Sequence, residues 1–308
     1  MKTVKNKILV SVCVVSFNQR EYIQECLQSI ADQKTNFDFE ILVSDDCSSD
    51  GTQEIINEFS RTYGGNIKLF LQEKNLNPYK NLLFVHAKAV GQYVSHIDGD
   101  DYMLPGKLQS QVDHLDNNAN ISFAAHAVKV MDSNEILGND KKYPTIGSLY
   151  DLLRLGTYFV HSSVMYRREL EFVQPEGIEL IDYYLHIERA SRGSIYLDRK
   201  PYGCYRIHSQ GISTNEAYRL KREIFYEQAF DRAIALGALK VPVESARLKR
   251  RMSFAIASYL SGDILAYKKK IKLQPKDLKM SSLKHLVLHY TVSFPWFISI
   301  YMKFRQML

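Results

Sequence analysis

Residues 8–17 read ILVSVCVVSF, a run that is nearly all apolar or small. A strand with one wet face alternates polar and apolar residues, so this run suits a strand buried on both faces, as in a parallel sheet. Asn18 ends it, and the pattern that follows places Tyr22, Ile23, Cys26, Leu27 and Ile30 on one helical face. A second short strand, 39–44 (FEILVS), runs into Asp45 and Asp46. Ser48-Ser49-Asp50-Gly51-Thr52 then supplies loop and N-cap residues for a helix carrying Ile55, Ile56 and Phe59. A third strand is expected over 67–71, a turn over 75–78, a helix over 81–90 and a fourth strand over 93–97. Strands alternating with helices define βαβ units and a parallel sheet. Further along, a helix is expected from Pro105, with Leu108, Val112 and Leu115 inward. Strands are read over 121–130, 162–167 and 202–207, and a helix over 178–191.

The fourth strand meets Asp98, Asp100 and Asp101 within four residues. Such crowding of negative charge is costly unless a cation or proton compensates it. Hard divalent cations take oxygen ligands, and Mg²⁺ or Mn²⁺ is typically held by one or two carboxylates plus substrate phosphates. Asp-Gly-Asp is also good turn chemistry, so an acidic turn would carry the same residues. Ligands of open α/β sheets sit at strand carboxyl ends. Phe17-Asn18, Asp45-Asp46 and 98–101 all fall there, which favours a metal–diphosphate site.

The net charge of +6 hides an asymmetry. Residues 221–308 carry seventeen Lys and Arg against six Asp and Glu, while the preceding 220 carry 23 against 28. An acidic front and a basic tail suggest two functional parts. Cys13, Cys26, Cys47 and Cys204 show no zinc-type spacing and read as free thiols of a reducing cytosol. The basic stretch 1–7 is followed by too short an apolar run for a signal peptide.

Three runs resemble glycosyltransferase family 2. VSVCVVSFNQREYIQECLQSI is similar to the opening strand and helix of its catalytic domain, and ILVSDDCSSDGT to its nucleotide-binding acidic motif. HIDGDDYMLPGKLQSQVDHL resembles its DxD motif and the helix after it. The likeness covers about 8–213. It implies a GT-A fold: an α/β domain, a Rossmann-like mixed, mainly parallel sheet flanked by helices, over 1–214, with a basic helical C-terminal extension over 215–308. It implies metal-dependent, inverting sugar transfer from a UDP- or dTDP-sugar, with Mn²⁺ or Mg²⁺ as cofactor. By the same resemblance, Asp98 and Asp100 hold the metal, and Asp98 also reaches the ribose. Asp101 contacts the sugar or supports the metal ligands from behind. Asp45 or Asp46 accepts a hydrogen bond from the imide N–H of the base, which Ser16, Phe17 and Asn18 line. Cys47 stands where Gly or Asn is common. Asp182 matches the catalytic base, although position 181 is Ile where the family has an acid, and Glu179 competes for the role. His208 is a candidate third metal ligand or diphosphate contact. Arg206 is a candidate phosphate contact or brace, and His161 faces the acceptor.

The tail lies outside these motifs. Arg247, Lys249, Arg250 and Arg251, then Lys268-Lys269-Lys270 and Lys272, flank apolar and aromatic stretches. Such patterning fits an interfacial membrane contact. A helical subdomain packed on the catalytic part or on a second copy fits it too. His285, His289 and Pro295 make the last apolar run a poor spanning helix. No nucleic-acid-binding motif is present. The expected setting is cytoplasmic, at or near the inner face of the membrane, and the expected acceptor is a glycan or lipid-linked oligosaccharide of surface polysaccharide synthesis. Two rivals remain: a sugar nucleotidyltransferase, although the first strand lacks a Gly-rich phosphate loop, and a non-catalytic assembly subunit.

Overall fold

β1 (Val10–Ser16) is buried at six of its seven positions, as its continuous apolar run requires. The computed structural model describes residues 8–170, 181–208 and 216–271. They belong to two units that divide between Asn215 and Glu216.

In the first unit, β1 leads to α1 (Ile23–Ala31), β2 (Phe39–Asp45), α2 (Thr52–Thr62), β3 (Ile67–Leu71), α3 (Pro78–His86) and β4 (Tyr93–Asp98). Next come β5 (Tyr102–Met103), α4 (Lys107–Asn117), β6 (Ile121–Val130), β7 (Ile136–Leu137), β8 (Ile146–Gly147) and α5 (Leu149–Leu155). β9 (Met165–Arg167), α6 (Asp182–Ala190) and β10 (Ser194–Tyr205) follow. The sheet order is β3-β2-β1-β4-β9-β6-β10-β5, with β7 on β6 and β8 on β10. β3, β2, β1 and β4 are mutually parallel, and β9 enters antiparallel between β4 and β6. The register sets Ser16 against Asp45 and Val15 against Asp98. Three chemistry-bearing strand ends therefore share one edge.

Ile23, Cys26, Leu27 and Ile30 of α1 are buried on this sheet with Val10, Val12, Val14, Ile41, Val43 and Ile97. Burying each such branched side chain contributes about 1.5–3 kcal/mol.

Several boundaries depart from expectation. α3 starts at Pro78, where the missing N–H costs nothing, and the Asn77 side chain caps it by accepting from Lys80 N. α4 starts two residues after Pro105, behind Gly106 at φ 87°. The expected strand over 162–167 is half a 3₁₀ turn, His161–Ser163, and half β9. β10 begins well before residue 202, and its pairing with β6 slips around Asp198 and Pro201. Proline has no N–H for the ladder, which explains why the alternation breaks there.

The second unit contains α7 (Glu216–Ala235), α8 (Lys240–Leu260) and α9 (Ile264–Ile271), with Leu248, Met252, Ala255, Tyr267 and Ile271 forming a core. Arg247 is buried and ion-paired with Glu227, Asp231 and Glu244, while Arg251 pairs with Glu227 and Arg250 stacks on Tyr226. Much of the first basic cluster is thus engaged internally. No helix among the described residues is long and apolar enough to cross a membrane. Lys272, His285, His289 and Pro295 lie outside the described residues.

Candidate active site

The β1 and β2 ends are stitched together by their loops. Asn18 N donates to Ser48 Oγ (2.8 Å), Gln19 N to Thr52 Oγ1 (2.9 Å) and Arg20 N to Asp50 Oδ2 (3.0 Å). Asn18 and Cys47 adopt left-handed backbone, at φ 52° and 65°. That conformation is why Gly or Asn suits position 47.

Asp45 and Asp46 are both fully buried but differ in what they hold. Asp45 accepts from Ser48 N (2.9 Å), Ser48 Oγ (2.5 Å) and Gln53 Nε2 (2.7 Å), so both its oxygens are committed to the loop. Asp46 accepts from Leu76 N through Oδ1 (2.6 Å), while its buried Oδ2 has no hydrogen-bond partner. Burial raises the Asp46 carboxyl above its ordinary range despite that bond. Ser16 Oγ, buried alongside, is also without a partner, and Phe17 is exposed.

Beyond β4, oxygens of Asp98, Asp100 and Asp101 lie within 4.8 Å of one another. Gly99 lets the acidic loop lie close against β1 and the start of α1: a Cβ there would meet Gln19 Oε1 at 2.5 Å, Ile23 Cδ1 at 2.9 Å and the Val15 carbonyl at 3.1 Å. The three acids differ electrostatically. Burial works to raise Asp98, but His96, Ser162 and Lys107 together hold it below its ordinary range. Its Oδ1 faces His96 Nε2 (3.1 Å), and its Oδ2 accepts from Ser162 Oγ (3.0 Å). Asp100 is raised by burial and by Asp98, although His208 Nε2 sits 2.8 Å from its Oδ2. Asp101 is pushed well up by burial and by its two neighbours, and its buried Oδ2 has no partner. Three carboxylates left this close, with one orphaned oxygen, are a donor set for a hard cation.

Arg206 braces this loop. Its backbone N–H donates to Asp101 Oδ1 (3.0 Å), and its guanidinium bonds the Asp100 carbonyl and Glu25 and packs over Tyr22 and Tyr102. His208 packs against Tyr22 as well. Across the site, Asp182 opens α6, and its Oδ1 accepts from Tyr183 N (2.8 Å). Burial raises its carboxyl, and Asp98 adds to that. His161 stands beside it in the 3₁₀ turn. Glu179 lies outside the described residues.

Sequence reasoning missed the layer behind these acids. His96 joins Asp98 to His86 (3.1 Å), and His86 reaches the Tyr166 hydroxyl (2.9 Å), whose ring carries the Arg189 guanidinium 3.5 Å from its centroid. Lys107 is fully buried, donates to the Ser162 carbonyl (2.6 Å) and is pushed down by burial to about 7. His96 precedes Asp98 by two on a strand, hence on the same face, and that spacing was the available signal.

Parallel strand ends on one edge, a close trio of acids there and a further carboxyl at the start of α6 fit a glycosyltransferase of GT-A architecture. Comparison with known proteins agrees. The glycosyl transferase family 2 model matches residues 11–172. An uncharacterised Mycobacterium tuberculosis protein, Rv1520, is 30% identical over 82% of this chain and 74% of its own length. WfgD of Escherichia coli, a UDP-Glc:α-D-GlcNAc-diphosphoundecaprenol β-1,3-glucosyltransferase, is 29% identical over 70% of this chain and 83% of its own. S. aureus TarS residues 1–349 with UDP-GlcNAc superposes with a TM-score of 0.69 at 20% identity, covering 93% of this chain and 88% of TarS. The chain belongs to glycosyltransferase family 2.

Proposed function

We propose that this enzyme transfers a sugar, with inversion, from a UDP- or dTDP-sugar to a hydroxyl of a glycan or lipid-linked oligosaccharide in surface polysaccharide synthesis. The observation that carries the reading is the trio Asp98, Asp100 and Asp101 at the β4 end, with oxygens within 4.8 Å. Asp98 and Asp100 would hold Mn²⁺ or Mg²⁺, with His208 beside Asp100 as a further ligand. When bound, that cation supplies the Lewis acidity that offsets charge on a departing diphosphate.

Asp46 Oδ2, an unpartnered acceptor, suits the imide N–H of uracil or thymine, with Ser16, Phe17 and Asn18 lining the base. Asp45 holds the loop that presents it. Asp101 serves the sugar, and Arg206 keeps the acidic loop in place. Asp182 takes the proton from the acceptor hydroxyl, and a carboxyl raised by burial is better matched to that task. His161 lies on this acceptor side. WfgD's named acceptor, an undecaprenol diphosphate sugar, supports a lipid-linked acceptor and hence a place at the inner membrane face. The C-terminal unit would contribute the lysines and arginines not already paired within it, or contact a second copy.

A thermal-shift screen of nucleotide sugars, with and without Mn²⁺, tests the donor half. Stabilisation by UDP- or dTDP-sugars that needs the metal is expected, and metal-independent shifts would refute it. Asp182→Asn tests the other half. Donor binding should persist while transfer falls by at least a hundredfold, and near-normal transfer would remove Asp182 from the mechanism.

A further inference from the structure

Asp182 and His186 sit four residues apart on α6, so they share one helical face. His161, delivered by the 3₁₀ turn before β9, faces them. One ring nitrogen of each histidine and one Asp182 oxygen lie within 4.8 Å of one another. The two rings approach at His161 Nδ1 and His186 Nε2, 3.4 Å apart. That is long for a hydrogen bond. It is the separation of two nitrogens that each sit about 2.0–2.1 Å from one tetrahedral Zn²⁺, about 3.3–3.4 Å.

The pair is also unsatisfied. His186 is fully buried, and neither its Nδ1 nor His161 Nε2 has a hydrogen-bond partner. With the ring protons on these outer nitrogens, His161 Nδ1 and His186 Nε2 turn their lone pairs towards each other and are free to share a cation. Phe123 and Phe159 pack on His186 and exclude water from that side. Burial holds both imidazoles well below their ordinary pKa, so both are neutral and able to ligate. Arg189 adds positive charge nearby, which opposes a cation, while Asp182 and Asp98 offset it.

We propose that His161, Asp182 and His186 form a second, nitrogen-rich metal site that takes Zn²⁺ and related borderline divalent ions, and that its occupation inhibits sugar transfer. The donor sets separate the two sites: carboxylates with at most one imidazole, His208, suit Mn²⁺ and Mg²⁺, whereas two imidazoles and a single carboxylate suit Zn²⁺. A carboxylate bound to Zn²⁺ has surrendered the lone pair that would accept the acceptor's proton. Inhibition therefore rests on the assignment of Asp182 as base; binding does not.

The test uses the full chain, stripped with chelator and then saturated with Mg²⁺. Co²⁺ titration is followed by its visible d–d bands, with Zn²⁺ displacement. One equivalent of four- or five-coordinate Co²⁺ is expected, retained in Asp100→Ala and weakened at least tenfold in His186→Gln. Zn²⁺ should lower kcat without raising the donor KM, and His186→Gln should keep transfer while losing that sensitivity. Absence of saturable Co²⁺ binding, or binding undiminished in both His186→Gln and His161→Gln, overturns the site. Should those variants fail to fold, X-ray absorption on the wild-type Zn²⁺ form decides: imidazole scattering is expected, and an all-oxygen shell overturns it. If Asp182→Asn transfers normally, the base assignment fails, and the Co²⁺ result still judges the site.

Discussion

Asp45 and Asp46 are neighbours with different tasks, and their substitutions should separate stability from binding. Asp45→Asn puts an NH₂ among three donors, Ser48 N, Ser48 Oγ and Gln53 Nε2. A buried mismatch of that kind costs about 1–3 kcal/mol. Thermal or urea unfolding should show that loss. Asp46→Asn keeps an oxygen for Leu76 N, so stability should hold while UDP affinity falls about tenfold by calorimetry, the value of one hydrogen bond to a charged group. Equal effects in the two variants would contradict the division of labour. The acids themselves were legible because charge at the end of an apolar strand is conspicuous. Which of the pair is free was not, because it depends on Gln53 and Leu76, brought in by α2 and by the loop after β3. His96 was passed over for a different reason: despite its spacing from Asp98, a histidine inside an apolar strand ordinarily signals packing, and its partner His86 lies at the end of α3.

Among the elements, α4 carries the least expected device. Its first residue, Lys107, follows Pro-Gly and would ordinarily point to solvent, yet it is buried behind the acidic loop with its ammonium on the Ser162 carbonyl. Its pKa is depressed from 10.5 to about 7, chiefly by burial. Below pH 7 the lysine is charged in both folded and unfolded chains, and the cost of burying the charge is fully present. Between pH 7 and 10.5 the unfolded chain binds more protons than the folded one, so stability rises with pH there. From pH 7 to pH 9 the gain should approach about 2–3 kcal/mol, at up to about 1.4 kcal/mol per unit. Lys107→Met should flatten that rise, read as the urea midpoint of the catalytic unit at the two pH values. A wild-type chain equally stable at both would show that the neighbouring acids, Asp98 and Asp101, fully repay the buried ammonium. The β1–β4 half of the sheet was legible because its strands are continuous apolar runs. β9 was read three residues too long, since so short a strand carries no period to mark where the 3₁₀ turn before it ends, and β10 was read short because Pro201 interrupts its alternation.

Across the two units, the tail shows where charge counting misleads. Arg247, Arg250 and Arg251 form a basic cluster in the sequence, but their partners Glu227, Asp231 and Tyr226 come from α7, beyond the reach of helical periodicity within α8. Arg247 is buried to 9% side-chain exposure, with Asp231 at 2.6 Å and Glu227 and Glu244 beside it. Removing it leaves three carboxylates close together around a vacated site, but Asp231 is 71% exposed and Glu227 32%, so solvent screens their repulsion and the loss is about 1–3 kcal/mol, mostly lost packing and ion pairing. An arginine serving a membrane surface would behave differently, because its loss would weaken binding to anionic vesicles and leave folding untouched. Arg247→Ala is therefore expected to lower the melting transition of the C-terminal unit, while the stabilisation of the catalytic unit by UDP and Mn²⁺ stays as in wild type. Circular dichroism melts with and without the nucleotide, run beside a vesicle sedimentation assay, distinguish the two roles. Unchanged melting with lost vesicle binding would return Arg247 to the membrane, and the opposite result leaves that contact to lysines outside the ion-paired cluster.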